Sequence, residues 1–257
     1  GRAMPGMLGN VPSYCVAAEF IGSFLFQFIG GGCAANSIST GLATAAIGNG
    51  LALVVLVYAT AGISGGHLNP AVSTAFLVTG RLGKHRYWAY IAAQFFGMLA
   101  GAITLKLALP PALDETPFTT TGSLTFEHPF QVFFLEFVCT FGLVYCVFAT
   151  AVDKSGAAKN AAPLAIGLAY MVGVFAEGPF TGGSMNPART LGPALAFGQL
   201  KHVWVYLVST FAGGVCAGLT YDKLFLEDIQ VTHSPASACL LCRHTLDYAI
   251  VQNLGVA

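Results

Sequence analysis

Charge is what this sequence has least of. Asp, Glu, Lys and Arg make up 9% of it, and the 11 basic residues cancel the 11 acidic ones. An ordinary soluble domain carries roughly 25%. With no basic excess there is no surface to neutralise phosphates, which excludes a nucleic-acid partner. Enzyme constellations are also missing: there is no metal triad, no phosphate-cradling glycine loop and no nucleophile–base pair. The seven cysteines form no readable disulfide framework. Cys15, Cys33, Cys139, Cys146 and Cys216 fall in or beside apolar runs, where a thiol packs as a small apolar group. Cys239 and Cys242 make one C-x-x-C near His233 and His244, weak grounds for zinc. Palmitoylation of a membrane-proximal cysteine is an equal alternative there, and Ser234 before Pro235 is a candidate phosphorylation site. No resident metal or cofactor is expected, and no cleavable signal peptide.

What is present is apolar: 55% of the chain, with 31 glycines that suit close helix contacts in lipid. Six stretches are long enough to cross a bilayer, which takes about 20 residues. They cover roughly 13–36, 41–62, 86–109, 129–152, 161–178 and 201–224. Two shorter apolar pieces, 69–79 and 186–197, cannot span. They fit re-entrant half-helices, tolerated at membrane depth only where protein or a water-filled cavity surrounds them.

The chain is duplicated. Asn69-Pro70-Ala71 recurs as Asn186-Pro187-Ala188, 117 residues on. Glu19 and Glu136 share that spacing, each fifty residues before its Asn, as do Gly50 and Gly167. Three spans per repeat is an odd number, so the second copy inserts upside down. The expected layout is an N-terminal cytosolic segment (1–12), a first repeat (13–110), a connecting loop (111–128), a second repeat (129–224) and a cytosolic tail (225–257). Arg81, Lys84, Arg86, Lys154 and Lys159 lie on one side. Asp114, Glu115 and Glu127 lie on the other, with Lys106 and Lys201 as its basic residues. The positive-inside rule then puts both termini in the cytosol.

Each Asn-Pro-Ala heads a half-helix. Proline in the first turn sacrifices no hydrogen bond, and the preceding asparagine caps the helix while its amide is left to donate outward. The two positive helix ends would meet near mid-membrane. At about 4 Å and an effective dielectric near 20, half a charge opposes a cation by of order 2 kcal/mol per helix. Neutral molecules escape that barrier, and two oriented donors would interrupt a proton-conducting water chain. Arg189, three residues after Asn186, is the one arginine deep in an apolar region, and an intramembrane charge is a functional hypothesis by default. Glu19 and Glu136 are expected to accept hydrogen bonds from their re-entrant loops, and His67 to stabilise its own.

With His67-Leu-Asn-Pro-Ala-Val72, Ser184-Met-Asn-Pro-Ala-Arg189 and the paired glutamates, residues 13–224 resemble the aquaporin (major intrinsic protein) family. The flanks ISGGHLNPAV and FTGGSMNPAR look most like its tonoplast-intrinsic group. The resemblance implies an all-α membrane protein of six transmembrane helices plus two re-entrant half-helices in an inverted tandem repeat, usually a homotetramer of independent pores. It also implies a filter at Asn49, Val174, Gly183 and Arg189. Water-selective members usually carry Phe and His where Asn49 and Val174 stand, so a relaxed ring is expected. It would pass water, lipid-side partners aside, together with small neutral solutes such as glycerol, urea and ammonia. Gly183 replaces a mercury-sensitive cysteine of some members, so weak mercurial block is expected there. Ala194 is the small residue of water channels, whereas Tyr206-Leu207 is intermediate between water and glycerol channels. A vacuolar, other endomembrane or plasma-membrane site is implied. The alternatives are a strictly water-selective pore, a secondary transporter, which would need acids in its pathway, and a structural junction protein.

Overall fold

A computed structural model describes residues 11–110, 120–125 and 127–226. The candidate zinc, palmitoylation and phosphorylation residues Cys239, Cys242, His233, His244 and Ser234, and the acids Asp114 and Glu115, lie outside them. Among the described residues eight α-helices follow in order: α1 Ser13–Thr40, α2 Leu42–Ser64, α3 Pro70–Val78, α4 Lys84–Ala108, α5 Pro129–Val147, α6 Ala162–Thr181, α7 Pro187–Phe197 and α8 Val203–Tyr221. Six have the length and hydropathy to cross a membrane, while α3 and α7, with 9 and 11 residues, do not. The protein is an all-α membrane protein of six spans and two re-entrant half-helices in an inverted tandem repeat.

Most boundaries fall where turn chemistry puts them. The first helix runs on to Thr40, past the expected residue 36, because Ser37, Ser39 and Thr40 return their hydroxyls to carbonyls of its last turns. It stops only at Gly41, with φ 89°. The fourth span is α5 continued by a π turn, Phe148–Val152. Lys106 sits in the last turn of α4. Its ammonium donates to Ala196 O at 3.2 Å and lies 4.7 Å from the Phe197 ring, closing the far end of α7.

The spans meet through small residues. Helix α1 packs on α2 and α4, α2 on α6, α4 on α7, and α5 on α6. The α2–α6 contact is the junction of the repeats: a Cβ on Gly50 would lie 2.9 Å from Gly167 O, and one on Gly167 would lie 2.6 Å from Gly50 O. Two glycines 117 residues apart thus face each other. Gly167→Val should force that crossing open at a cost of about 1–3 kcal/mol or more. The check is the temperature at which detergent-purified protein loses monodispersity, expected to fall; an unchanged value would mean that the crossing is not tightly packed. Outward, Val55, Trp88, Phe96, Phe134, Val172 and Val208 are exposed, the apolar surface of helices solvated by lipid.

Candidate functional site

The two half-helices start against each other. Asn69 caps α3 in extended backbone (φ −153°, ψ 120°), its Oδ1 accepting from Ala71 N at 2.9 Å. Asn186 caps α7 likewise (φ −154°, ψ 112°), accepting from Ala188 N at 3.0 Å and Arg189 N at 3.2 Å. Pro70 and Pro187 occupy the first turns, where no N–H is needed, and Ala71 and Ala188 are fully buried. The amides then cross the repeat boundary. Asn69 Nδ2 donates to Met185 O at 2.8 Å, and Asn186 Nδ2 donates to Leu68 O at 2.9 Å. This corrects the expectation that both amides stand free: each commits one N–H to the opposite loop and has one left for a passing oxygen.

That exchange depends on the residues just before each asparagine. Leu68 and Met185 both have φ 49°, a left-handed conformation uncommon for side-chain-bearing residues. It turns their carbonyls toward the opposite repeat. Two buried carboxylates hold the strain. Glu19 accepts from Ser64 Oγ (2.6 Å), His67 N (3.0 Å), Leu68 N (2.8 Å) and Gln94 Nε2 (2.7 Å). Glu136 accepts from Thr181 Oγ1 (2.8 Å), Ser184 N (2.9 Å) and Met185 N (2.8 Å). Tyr90 and Tyr206 complete the brace, their phenols donating to Ser64 O and Thr181 O, both at 2.6 Å. Leu68, Met185 and Gln94 were not singled out from the sequence, where Tyr90 and Tyr206 stand only as the heads of matching segments and Tyr206 as a solute marker. Their common offset of 116 or 117 residues was the available signal for all but Gln94.

His67 hydrogen-bonds Ser73 through Nδ1 at 3.0 Å and packs on Phe76 and Tyr90. It also lines a cavity of about 690 Å³ with Phe26, Val57, Phe76, Leu143 and both asparagines, and Asp153, Lys154 and Asn160 are among the other lining residues. Asn49, Val174, Gly183 and Arg189 do not line it. They gather elsewhere around the guanidinium. Arg189 Nη1 donates to Gly183 O at 3.1 Å and Nη2 to Asn49 Oδ1 at 3.3 Å, with the Tyr170 ring 6.0 Å away. Gly183 has φ 66°, and a Cβ there would stand 3.2 Å from Val174 Cα. Asn49 sits inside α2, and its amide donates to Gly30 O (3.1 Å) and Ala45 O (2.9 Å). Its donors are spent on backbone, so it offers this ring only an acceptor.

Part of the connecting segment is built into the site. Ser123 N and Leu124 N donate to Pro179 O (3.0 Å) and Phe180 O (2.9 Å), and Thr120 Oγ1 donates to Thr190 Oγ1 at 2.9 Å. Thr190 in turn shares a hydrogen bond with Ser184. Glu177 is fully buried inside α6, its carboxyl beside the Cys139 thiol.

A family model described as Major intrinsic protein matches residues 12–221. Aquaporin TIP2-1 of Arabidopsis thaliana is 41% identical over 231 residues, covering 86% of this chain and 90% of its own. Probable aquaporin TIP2-2 of Oryza sativa subsp. japonica is 38% identical over 219 residues, covering 81% and 86%. Among solved structures, the aquaglyceroporin from Plasmodium falciparum superposes with a TM-score of 0.76 at 26% identity, covering 85% of this chain and 98% of its own.

Proposed function

The chain belongs to the major intrinsic protein family, and from that premise we propose that it is a passive, multi-pass membrane channel for water. The observation that carries this reading is the exchange of asparagine amides between opposite repeats at the wall of a 690 Å³ cavity. Two half-helix N-termini and two remaining N–H donors face one point, which favours a neutral oxygen and opposes cations and hydronium. Arg189 adds a fixed positive charge at the ring of Asn49, Val174 and Gly183.

The proposal includes a relaxed filter that also passes glycerol, urea and ammonia. Supporting it, Val174 has no polar group, Gly183 no side chain, and Asn49 no uncommitted N–H. The likeness to both TIP aquaporins and an aquaglyceroporin is compatible with either breadth of selectivity. A homotetramer, a vacuolar or related membrane and cytosolic termini complete the reading; the arginines and lysines at 81–86 and 154–159 support the orientation.

Stopped-flow light scattering on proteoliposomes tests it. An impermeant osmolyte should drive fast shrinkage with low activation energy, and glycerol or urea gradients should then drive reswelling. Shrinkage without reswelling would leave a strictly water-selective pore; shrinkage no faster than empty liposomes would refute the channel.

A further inference from the structure

His67 lines the cavity two residues before Asn69, and its ring nitrogens meet different surroundings. Nδ1 is turned into the protein, 3.0 Å from Ser73 Oγ. Among the described residues Nε2 has no protein partner. It lies beside Gly65, another lining residue, where an added Cβ would stand 3.3 Å from it. Which nitrogen carries the proton therefore decides whether the cavity meets a donor or an acceptor.

The hydrogen-bond network answers the question, starting from Glu19. That carboxylate is ringed by four donors, one of them Gln94 Nε2 at 2.7 Å. Gln94 has to turn its amide nitrogen there, because its oxygen would set two acceptors against each other. The orientation holds although Gln94 Oε1 is buried without a partner. The second Nε2 proton goes to Ser73 Oγ at 2.9 Å, so Ser73 is already accepting. Among the described residues its one other hydrogen-bond neighbour is His67 Nδ1, and its single proton goes there. Nδ1 accepts, and a neutral ring then carries its proton on Nε2. The other titratable groups near the ring are committed elsewhere: Tyr90 donates to Ser64 O, and Arg86 donates to Tyr90 Oη and Cys15 Sγ. Asp153 and Lys154 share the cavity wall.

The second repeat has no ring to orient. Ser184 and Thr190 stand 117 residues beyond His67 and Ser73 and hydrogen-bond each other. At the 116-residue offset that relates Tyr90 to Tyr206, Gln94 is replaced by Thr210, whose hydroxyl donates to Tyr206 O on its own helix. The glutamine and the imidazole occur together or not at all. We propose that Gln94 is a positioning residue for His67: through Ser73 it holds the imidazole with its proton on Nε2. The water column then meets a third N–H donor beside those of Asn69 and Asn186, and finds no ring lone pair to protonate. Water flux is accordingly level across the range in which a free histidine titrates, about pH 6.5. The consequence for flux rests on the channel reading; the tautomer does not.

The test is nitrogen NMR on the full chain in detergent, with ¹⁵N-labelled histidine and His67→Gln to identify the signals. Near pH 8 the parent should show a protonated Nε2 and a bare Nδ1. Gln94→Glu keeps the shape and reverses the chain. A carboxylic acid has one proton, which goes to Glu19, so Ser73 donates to residue 94 and accepts from His67 Nδ1–H. Should the new carboxyl ionise instead, the imidazolium beside it also carries a proton on Nδ1. Gln94→Met, close in volume and without an amide, frees Ser73 to accept and should give a mixture of tautomers. Proteoliposome shrinkage should stay level from about pH 8 to about pH 5 in the parent and fall at least about twofold in Gln94→Met, as the freed ring gains a proton beside Asn69. A protonated Nδ1 in the parent would overturn the proposal, as would both variants keeping the parent's pattern or a parent whose own shrinkage falls across that range. The expected NMR pattern in all three proteins with no water flux in any would keep the positioning role and sink the channel.

Discussion

Glu136→Ala is expected to destabilise the protein by about 3–6 kcal/mol and to cut water flux at least about tenfold. The substitution leaves Ser184 N, Met185 N and Thr181 Oγ1 without their acceptor, in a region closed to solvent. Each orphaned buried donor costs about 1–3 kcal/mol, and neighbours sharing one acceptor do not add fully. The functional loss follows because Met185 holds its left-handed backbone only while its N–H is tied down, and its carbonyl is what Asn69 grips. Glu136→Gln keeps the volume but turns an NH₂ toward donors, so an intermediate loss is expected. Thermal unfolding in detergent and stopped-flow shrinkage read the two effects. An alanine variant that melts with the parent and conducts water normally would show that the loop holds itself.

The second large effect concerns what passes. Asn49→Phe combined with Val174→His should reduce glycerol and urea reswelling at least about tenfold while leaving water within a few-fold of the parent. Bulk enters the ring from two helices at once. Asn49 Oδ1 already fills the space that a Cβ at Gly30 would take, so the added bulk has to extend past it. Arg189 loses its Asn49 acceptor but keeps Gly183 O. Asn49→Leu alone separates the parts, removing the acceptor without adding a ring. Solute flux unchanged in the double variant would place the narrowest point elsewhere and displace Asn49 and Val174 from the filter.

Much of the fold was legible because the membrane simplifies the reading. A span needs a long apolar run, and a half-helix betrays itself by being too short; repeated Asn-Pro-Ala marks its start with a cap and a proline that ordinary helices place rarely at such depth. Glu19 and Glu136 were legible for a related reason, since a lone acid in lipid survives only if donors surround it. Which donors was not legible. Gln94 lies 75 residues from Glu19 and Tyr206 lies 25 from Thr181, and no local pattern announces either contact.

The sequence by itself determined the class, the duplication, the inversion and the identity of the polar residues in an apolar chain. Those follow from transfer energies and from counting, which need no coordinates. Only the tertiary structure decided how the polar groups are used. It spent one N–H of each asparagine on the opposite loop and both donors of Asn49 on backbone. The physical reason is that a hydrogen bond is settled within about 3 Å. Asn69 and Met185, 116 residues apart, and Leu68 and Asn186, 118 apart, reach that distance only once the inverted repeats have packed together.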